Sequence, residues 1–146
     1  MTDTILILNG PNLNLLGKRE PHIYGTDTLE HIESLLLARA TKLNLEIDMR
    51  QSNHEGQIID WIQNPGDKSA GILLNAGAHT HTSIAIYDAL KASALPTIEV
   101  HLSNPHAREP FRHRSYVSPV SVGIISGFGA NSYLLALDAM ANLLSA

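Results

Sequence analysis

Apolar and polar positions switch between two periods along this chain, and each switch marks the end of an element. Ile5 to Leu8 is an unbroken apolar run, the pattern of a strand covered on both faces. It breaks at Asn9, Gly10, Pro11, Asn12 and Asn14, which are turn-forming residues, and from there to Gly25 neither helical nor strand spacing is visible. Leu29, Ile32, Leu35, Leu36, Ala40 and Leu43 then recur at helical spacing, with Asp27 or Thr28 placed to cap the start. Leu45 to Gln51 alternates, with Leu45, Ile47 and Met49 set against Glu46, Asp48 and Arg50, and predicts a half-exposed strand at a sheet edge. A helix from His54 to Gln63 carries Ile58, Ile59 and Ile62 on one side and stops at Asn64-Pro65-Gly66-Asp67. The apolar run Ala70 to Leu74 predicts a central strand ending at Asn75, and a helix from Thr82 to Ser93 follows. A strand Thr97 to His101, an irregular stretch from Leu102 to Pro119, a strand Val122 to Ser126 and a helix Asn131 to Leu144 complete the chain.

Strands alternating with helices in this order imply a parallel sheet. The simplest arrangement is α/β and flavodoxin-like, a five-stranded parallel sheet with helices on both faces, in one domain spanning residues 1–146. In such sheets ligands bind beyond the carboxyl ends of the strands, where the strand order reverses. Those ends carry Asn9, Asn75 and His101, which are expected along one rim. Glu99 lies two residues before His101 and so shares its face of the strand. It can hold one imidazole nitrogen and leave the other for a ligand. The loop after the first strand joins this rim. Long loops in compact domains are functional or disordered, and Gly17 and Gly25 bracketing Arg19 and Tyr24 predict a lid that carries both side chains over a ligand.

Composition narrows the partner. At 146 residues and 44% hydrophobic content, the chain is the size of one domain with a real core. The absence of cysteine excludes a disulfide framework and a thiolate metal site and suits a cytoplasmic setting. The first eight residues hold an acidic residue, a short apolar run and no small-residue cleavage site, so they do not read as a secretory signal. No apolar run reaches membrane-spanning length. A net charge of -4 and a pI near 6.0 argue against nucleic acid or an anionic membrane as partner, and leave a small molecule.

Several chemistries fail on residue type. Gly10 to Gly17 has the wrong spacing for a phosphate-binding GxxxxGK[ST] loop, and no GxGxxG follows the first strand. A phosphate-accepting receiver would need aspartates where Asn9 and Asn75 stand. His79 and His81 with His101 or His106 form only an isolated HxH pattern, with no carboxylate or cysteine to support a zinc site. What remains is acid/base chemistry by Tyr24, Arg19 and His101, with Asn12, Asn75 and Ser103 as hydrogen-bonding groups. A free tyrosine has a pKa of about 10 and is phenolate in about one part in a thousand at neutral pH, so its use as a base needs a neighbouring cation such as Arg19. Such a pair can take a proton from carbon beside a carbonyl while an imidazole protonates a departing hydroxyl, which is dehydration through an enolate. Arg108, Arg112 and Arg114 in the irregular stretch point to a small anionic substrate. A non-catalytic module that binds a small anion or nucleotide is the competing reading. His81 and Asp88 are seven residues apart, about two helical turns, and are expected on one helix face.

The segments NGPNLNLLGKREPHIYG from Asn9, SNHEG from Ser52, THTS from Thr80, IEVHLSN from Ile98, AREPFRHRS from Ala107 and GFG from Gly127, in this order, resemble type II 3-dehydroquinate dehydratase over almost the entire chain. The resemblance implies syn elimination of water from 3-dehydroquinate through an enolate to give 3-dehydroshikimate, a step of the shikimate pathway or of quinate catabolism, with no cofactor and no metal. It implies Tyr24 as the base, Arg19 as its activator, His101 as the acid, Glu99 as the residue orienting His101, and Asn12 as the stabiliser of the enolate oxygen through a water. Asn75, His81, Arg112 and the backbone amides of Leu102 and Ser103 would hold the substrate. Asp88 would come from a neighbouring subunit of a trimer, four of which build a dodecamer. The chain departs from the family pattern at Ala76, His79 and Tyr87, none of which the resemblance assigns to the chemistry.

Overall fold

The apolar run after Thr4 alternates its side chains between two separate cores, which is why it shows no polar face. In the computed structural model, which describes residues 2–146, Ile5 and Ile7 of β1 (Thr4–Asn9) pack on one side of the sheet and Leu6 and Leu8 on the other, all fully buried. The chain continues through one helical turn, α1 (Pro21–Tyr24), to α2 (Leu29–Lys42), β2 (Glu46–Gln51), α3 (Glu55–Gln63), β3 (Ser69–Asn75), α4 (Ile84–Ala92), β4 (Thr97–His101), β5 (Gly123–Ser126) and α5 (Asn131–Leu144). The five strands are parallel in the order β2-β1-β3-β4-β5, so the fold is the expected flavodoxin-like α/β sheet, with β2 at an edge.

Helices α2 and α5 cover the Ile5 face through Ile32, Leu36, Tyr133, Leu137 and Met140, while α3 and α4 cover the Leu6 face through Ile58, Ile62, Ile86 and Leu90. Each such fully buried side chain contributes about 1.5–3 kcal/mol of burial free energy. Thr28 caps α2 by accepting from the His31 amide, and Ser83 caps α4 by accepting from the Ile86 amide. No helix among the described residues is long and apolar enough to cross a membrane.

Two expectations need correction. The segment after β1 is not without helix, because Leu13–Leu15 forms a 3-10 turn and Pro21–Tyr24 a single α turn. Single turns are too short to produce a periodic pattern. The expected helix from Thr82 starts only at Ile84, because Gly77–His81 is a separate 3-10 turn. His81 and Asp88 therefore do not share one helix.

Candidate active site

The chain leaves β1 for β2 on one side and crosses to β3 on the other, which places the switch in strand order between the carboxyl ends of β1 and β3. A cleft opens there. Of the predicted residues, Asn12, Arg19, Tyr24, Asn75, His81, His101, Leu102, Ser103 and Arg112 line it, and the structure adds Arg108. Glu99 stands behind His101. Asp88 is exposed on α4 and lines no part of this cleft. Asn9 ends β1 beside Asn75 on the expected rim. It is fully buried and lines no part of the cleft, with its amide nitrogen donating to the Arg50 carbonyl at 3.0 Å.

Tyr24 ends the α1 turn, which Pro21 opens at a position where a missing N–H does no harm. Gly17 and Gly25 on either side have φ of +87° and +85°, conformations that favour glycine. Two guanidinium groups flank the Tyr24 ring, Arg19 at 5.1 Å and Arg108 at 5.0 Å from its centroid. Arg108 also donates to the Ser103 hydroxyl at 3.4 Å. The sequence shows three arginines between 108 and 114 without showing which turns inward. Arg114 is exposed and bonds Tyr116 instead.

The expected pairing of Glu99 with one imidazole nitrogen of His101 is present. The Nε2 of His101 pairs with Glu99 Oε2 at 2.5 Å, and both residues are buried. A carboxylate can only accept, so Nε2 carries the hydrogen and Nδ1 is left unengaged by Glu99. Ser115 and Ser118, which sequence reasoning did not single out, donate to the same carboxylate. Burial works to raise the Glu99 carboxyl, but the hydrogen bond and charge of His101 and the two hydroxyls outweigh it and hold it below the ordinary value of 4.5. Glu99 is thus held as an anion against the back of the His101 ring.

His81 donates from Nδ1 to the Arg114 carbonyl at 2.8 Å, which leaves Nε2 as an acceptor in the neutral ring. Burial is the main cause that holds its pKa below 6.5, and the positive surroundings of His101 and Arg112 act in the same direction. Arg112 is paired with Glu109 at 2.5 Å, and that bond lowers the Glu109 carboxyl. The backbone N–H groups of Leu102 and Ser103, just past β4, donate to no other group among the described residues. Successive unpaired amides of this kind suit an anion. The turn carrying Asn75 is held closely even though Ala76 follows it. Gly10 N–H donates to the Asn75 carbonyl at 2.8 Å, and Gly77 N–H donates to Asn75 Oδ1 at 3.2 Å. Of the histidines weighed as zinc ligands, only His81 and His101 line the cleft, while His106 packs on His113. No group of three or more histidine or carboxylate side chains among the described residues is placed to hold a metal ion.

A cleft at the switch point of a flavodoxin-like sheet defines the molecule as an α/β protein of the doubly wound class. Residues 3–141 match the family model described as dehydroquinase class II. The chain is 57% identical over 143 residues to the 3-dehydroquinate dehydratase of Sinorhizobium medicae, covering 98% of this chain and 97% of that one. It is 54% identical over 143 residues to that of Rhizobium johnstonii, covering 98% and 99%. Among solved structures, the type II dehydroquinase of Butyrivibrio crossotus superposes with a TM-score of 0.93 at 45% identity, covering 97% and 98% of the two chains, and that of Propionibacterium acnes with 0.91 at 44% and the same coverage. With agreement over its whole fold and nearly its whole length, the chain belongs to the class II dehydroquinase family and is a hydro-lyase.

Proposed function

We propose that this enzyme removes water from 3-dehydroquinate by syn elimination through an enolate, giving 3-dehydroshikimate. The observation that carries the mechanism is Tyr24 held between two guanidinium groups in the same cleft as the buried His101–Glu99 pair. Arg19 and Arg108 supply the counter-charge for a Tyr24 phenolate. The phenolate takes a proton from the carbon beside the substrate's carbonyl, and the electron pair moves into an enolate whose oxygen Asn12 stabilises through a water. The enolate then re-forms the carbonyl and expels the hydroxyl on the neighbouring bond. Protonated His101 delivers its Nδ1 proton to that hydroxyl, so water leaves and a carbon–carbon double bond remains. Return of the proton from Tyr24 to His101 through solvent resets the site. Glu99 keeps the imidazole oriented and offsets its positive charge. Arg112, His81, Asn75 and the amides of Leu102 and Ser103 bind the substrate's carboxylate and hydroxyls.

Asp88, exposed on α4 and outside its own cleft, serves the cleft of a neighbouring subunit in a trimer, and four trimers form a dodecamer. To test the reaction, the protein is mixed with 3-dehydroquinate and ultraviolet absorbance is followed, since only the product has a conjugated double bond. Substrate stereospecifically deuterated beside the carbonyl reports the geometry, and the hydrogen on the same side as the departing hydroxyl should be lost. Binding without any rise in absorbance would reduce the protein to an anion-binding module.

A further inference from the structure

A buried chain of hydrogen bonds crosses the sheet beneath the cleft, and its direction can be worked out from its two ends. The Arg50 carbonyl can only accept, so the group of Asn9 that meets it at 3.0 Å is the nitrogen. Asn9 Oδ1 then faces the Tyr133 hydroxyl at 2.6 Å, so the hydroxyl donates there. Having given its only proton to Asn9, that hydroxyl accepts from Asn75 Nδ2 at 2.9 Å. At the other end the Gly77 N–H can only donate, and it meets Asn75 Oδ1 at 3.2 Å. Both anchors therefore impose the same orientation on Asn75. Tyr133, Asn9 and Asn75 are 0%, 0% and 4% exposed, so no solvent competes for these groups. Burial also pushes the Tyr133 hydroxyl well above the ordinary tyrosine value, which keeps the proton in place throughout the working range.

We propose that Tyr133 is a positioning residue of the substrate site, whose hydroxyl aims Asn75 so that it meets the ligand as a hydrogen-bond donor and selects for an acceptor oxygen there. The oxygen of Asn75 is turned to the Gly77 N–H and one of its own N–H groups to Tyr133, so the remaining N–H is the donor it offers to the cleft that it lines. That N–H suits a carboxylate or a hydroxyl oxygen. Without the Tyr133 hydroxyl the amide keeps only the bond from Gly77 and can turn about its last torsion. Tyr133 touches no substrate. It lies on α5, 58 residues beyond Asn75, and acts through it.

The test takes the cleft to be the substrate site, as proposed above, and uses a double-mutant cycle of Tyr133→Phe and Asn75→Ala with 3-dehydroquinate. Losing the aim of a bond to a charged group should raise KM about tenfold or more in Tyr133→Phe, with kcat little changed. In the Asn75→Ala background the same substitution should move KM by less than about twofold, because the group it acts through is gone. A lowered melting temperature with an unmoved KM would make Tyr133 purely structural and overturn the proposal, as would an equal KM effect in both backgrounds. If Tyr133→Phe does not fold, Asn9→Leu takes its place. It keeps the hydroxyl but removes the acceptor that aims it, and should show the same KM rise, while an unchanged KM would overturn the proposal. Inactivity of the unsubstituted enzyme toward 3-dehydroquinate would instead refute the functional reading itself.

Discussion

At the scale of single residues, the site depends on which charged side chains face inward, and Arg108 and Arg114 show how sharply neighbours differ. Arg108 lies 5.0 Å from the Tyr24 ring, whereas Arg114 is exposed and contributes to the cleft only through its backbone carbonyl on His81. Arg108→Ala should therefore lower kcat by about 10²-fold or more, as removal of an electrostatic stabiliser does. Arg114→Ala should stay within about twofold, as surface substitutions do. Equal effects in steady-state kinetics would mean that the arginines act only as a diffuse positive field. Glu99 carries a prediction in pH. Unfolded, its carboxyl titrates near 4.5, and folded it keeps its charge to lower pH. Its contribution to stability is thus complete above about 4.5 and is lost as pH falls through the depressed folded value. The difference in unfolding free energy between the wild type and Glu99→Gln should be flat from neutral pH down to that point and shrink below it. A difference that already shrinks near neutral pH would assign the effect to the imidazole. Tyr24, Arg19, His101 and Glu99 were legible from residue type and strand position. Arg108 was not, because the direction of a loop side chain depends on the turns Pro105–Ala107 and Pro110–Arg112, which leave no periodic trace.

At the scale of elements, the close approach of two strand ends governs how Asn75 is presented. A Cβ on Gly10 would sit 2.3 Å from the Ala76 carbonyl oxygen and 2.6 Å from its carbon, both backbone atoms that cannot swing away. Gly10→Ala must push β1 and β3 apart where they carry Asn9 and Asn75. A loss of about 1–3 kcal/mol is expected, the usual consequence of overpacking, together with a raised KM. Thermal unfolding and steady-state kinetics check both, and a variant unchanged in melting temperature and KM would show that the turn yields freely. Capping was readable in advance, since Thr28 stood before a helical pattern and does cap α2. The fate of Asn9 was not. A strand-end asparagine serves equally well as a ligand group or as an internal brace, and here Tyr133, 124 residues away, takes it as a brace.

At the scale of the whole molecule, one chain closes its core but leaves Asp88 outside its own cleft. If Asp88 completes a neighbour's site, Tyr24→Phe and Asp88→Asn variants should each be poorly active. Dissociated and reassembled together, they should form some sites with an intact Tyr24 from one chain and an intact Asp88 from another. Activity should then exceed the average of the two parents. Mixed oligomers confirmed by native mass spectrometry but showing only the average would place the role of Asp88 within a single chain or nowhere in the site.

The division between sequence and structure follows the range of the forces involved. The two doubly buried strands, the half-exposed edge strand, the capped start of α2 and the Glu99–His101 pair two residues apart on β4 are all set by local spacing, because strand and helix geometry repeat over a few residues. The sequence by itself therefore determined the flavodoxin-like order of elements, the rim where the cleft opens and four of the residues gathered at or behind it. Only the tertiary structure decided that Arg108 faces Tyr24, that His81 and Asp88 part company, and that Tyr133 ties Asn9 to Asn75. Those contacts join residues far apart in the chain, and a buried polar group takes whichever partner the packed core brings within reach.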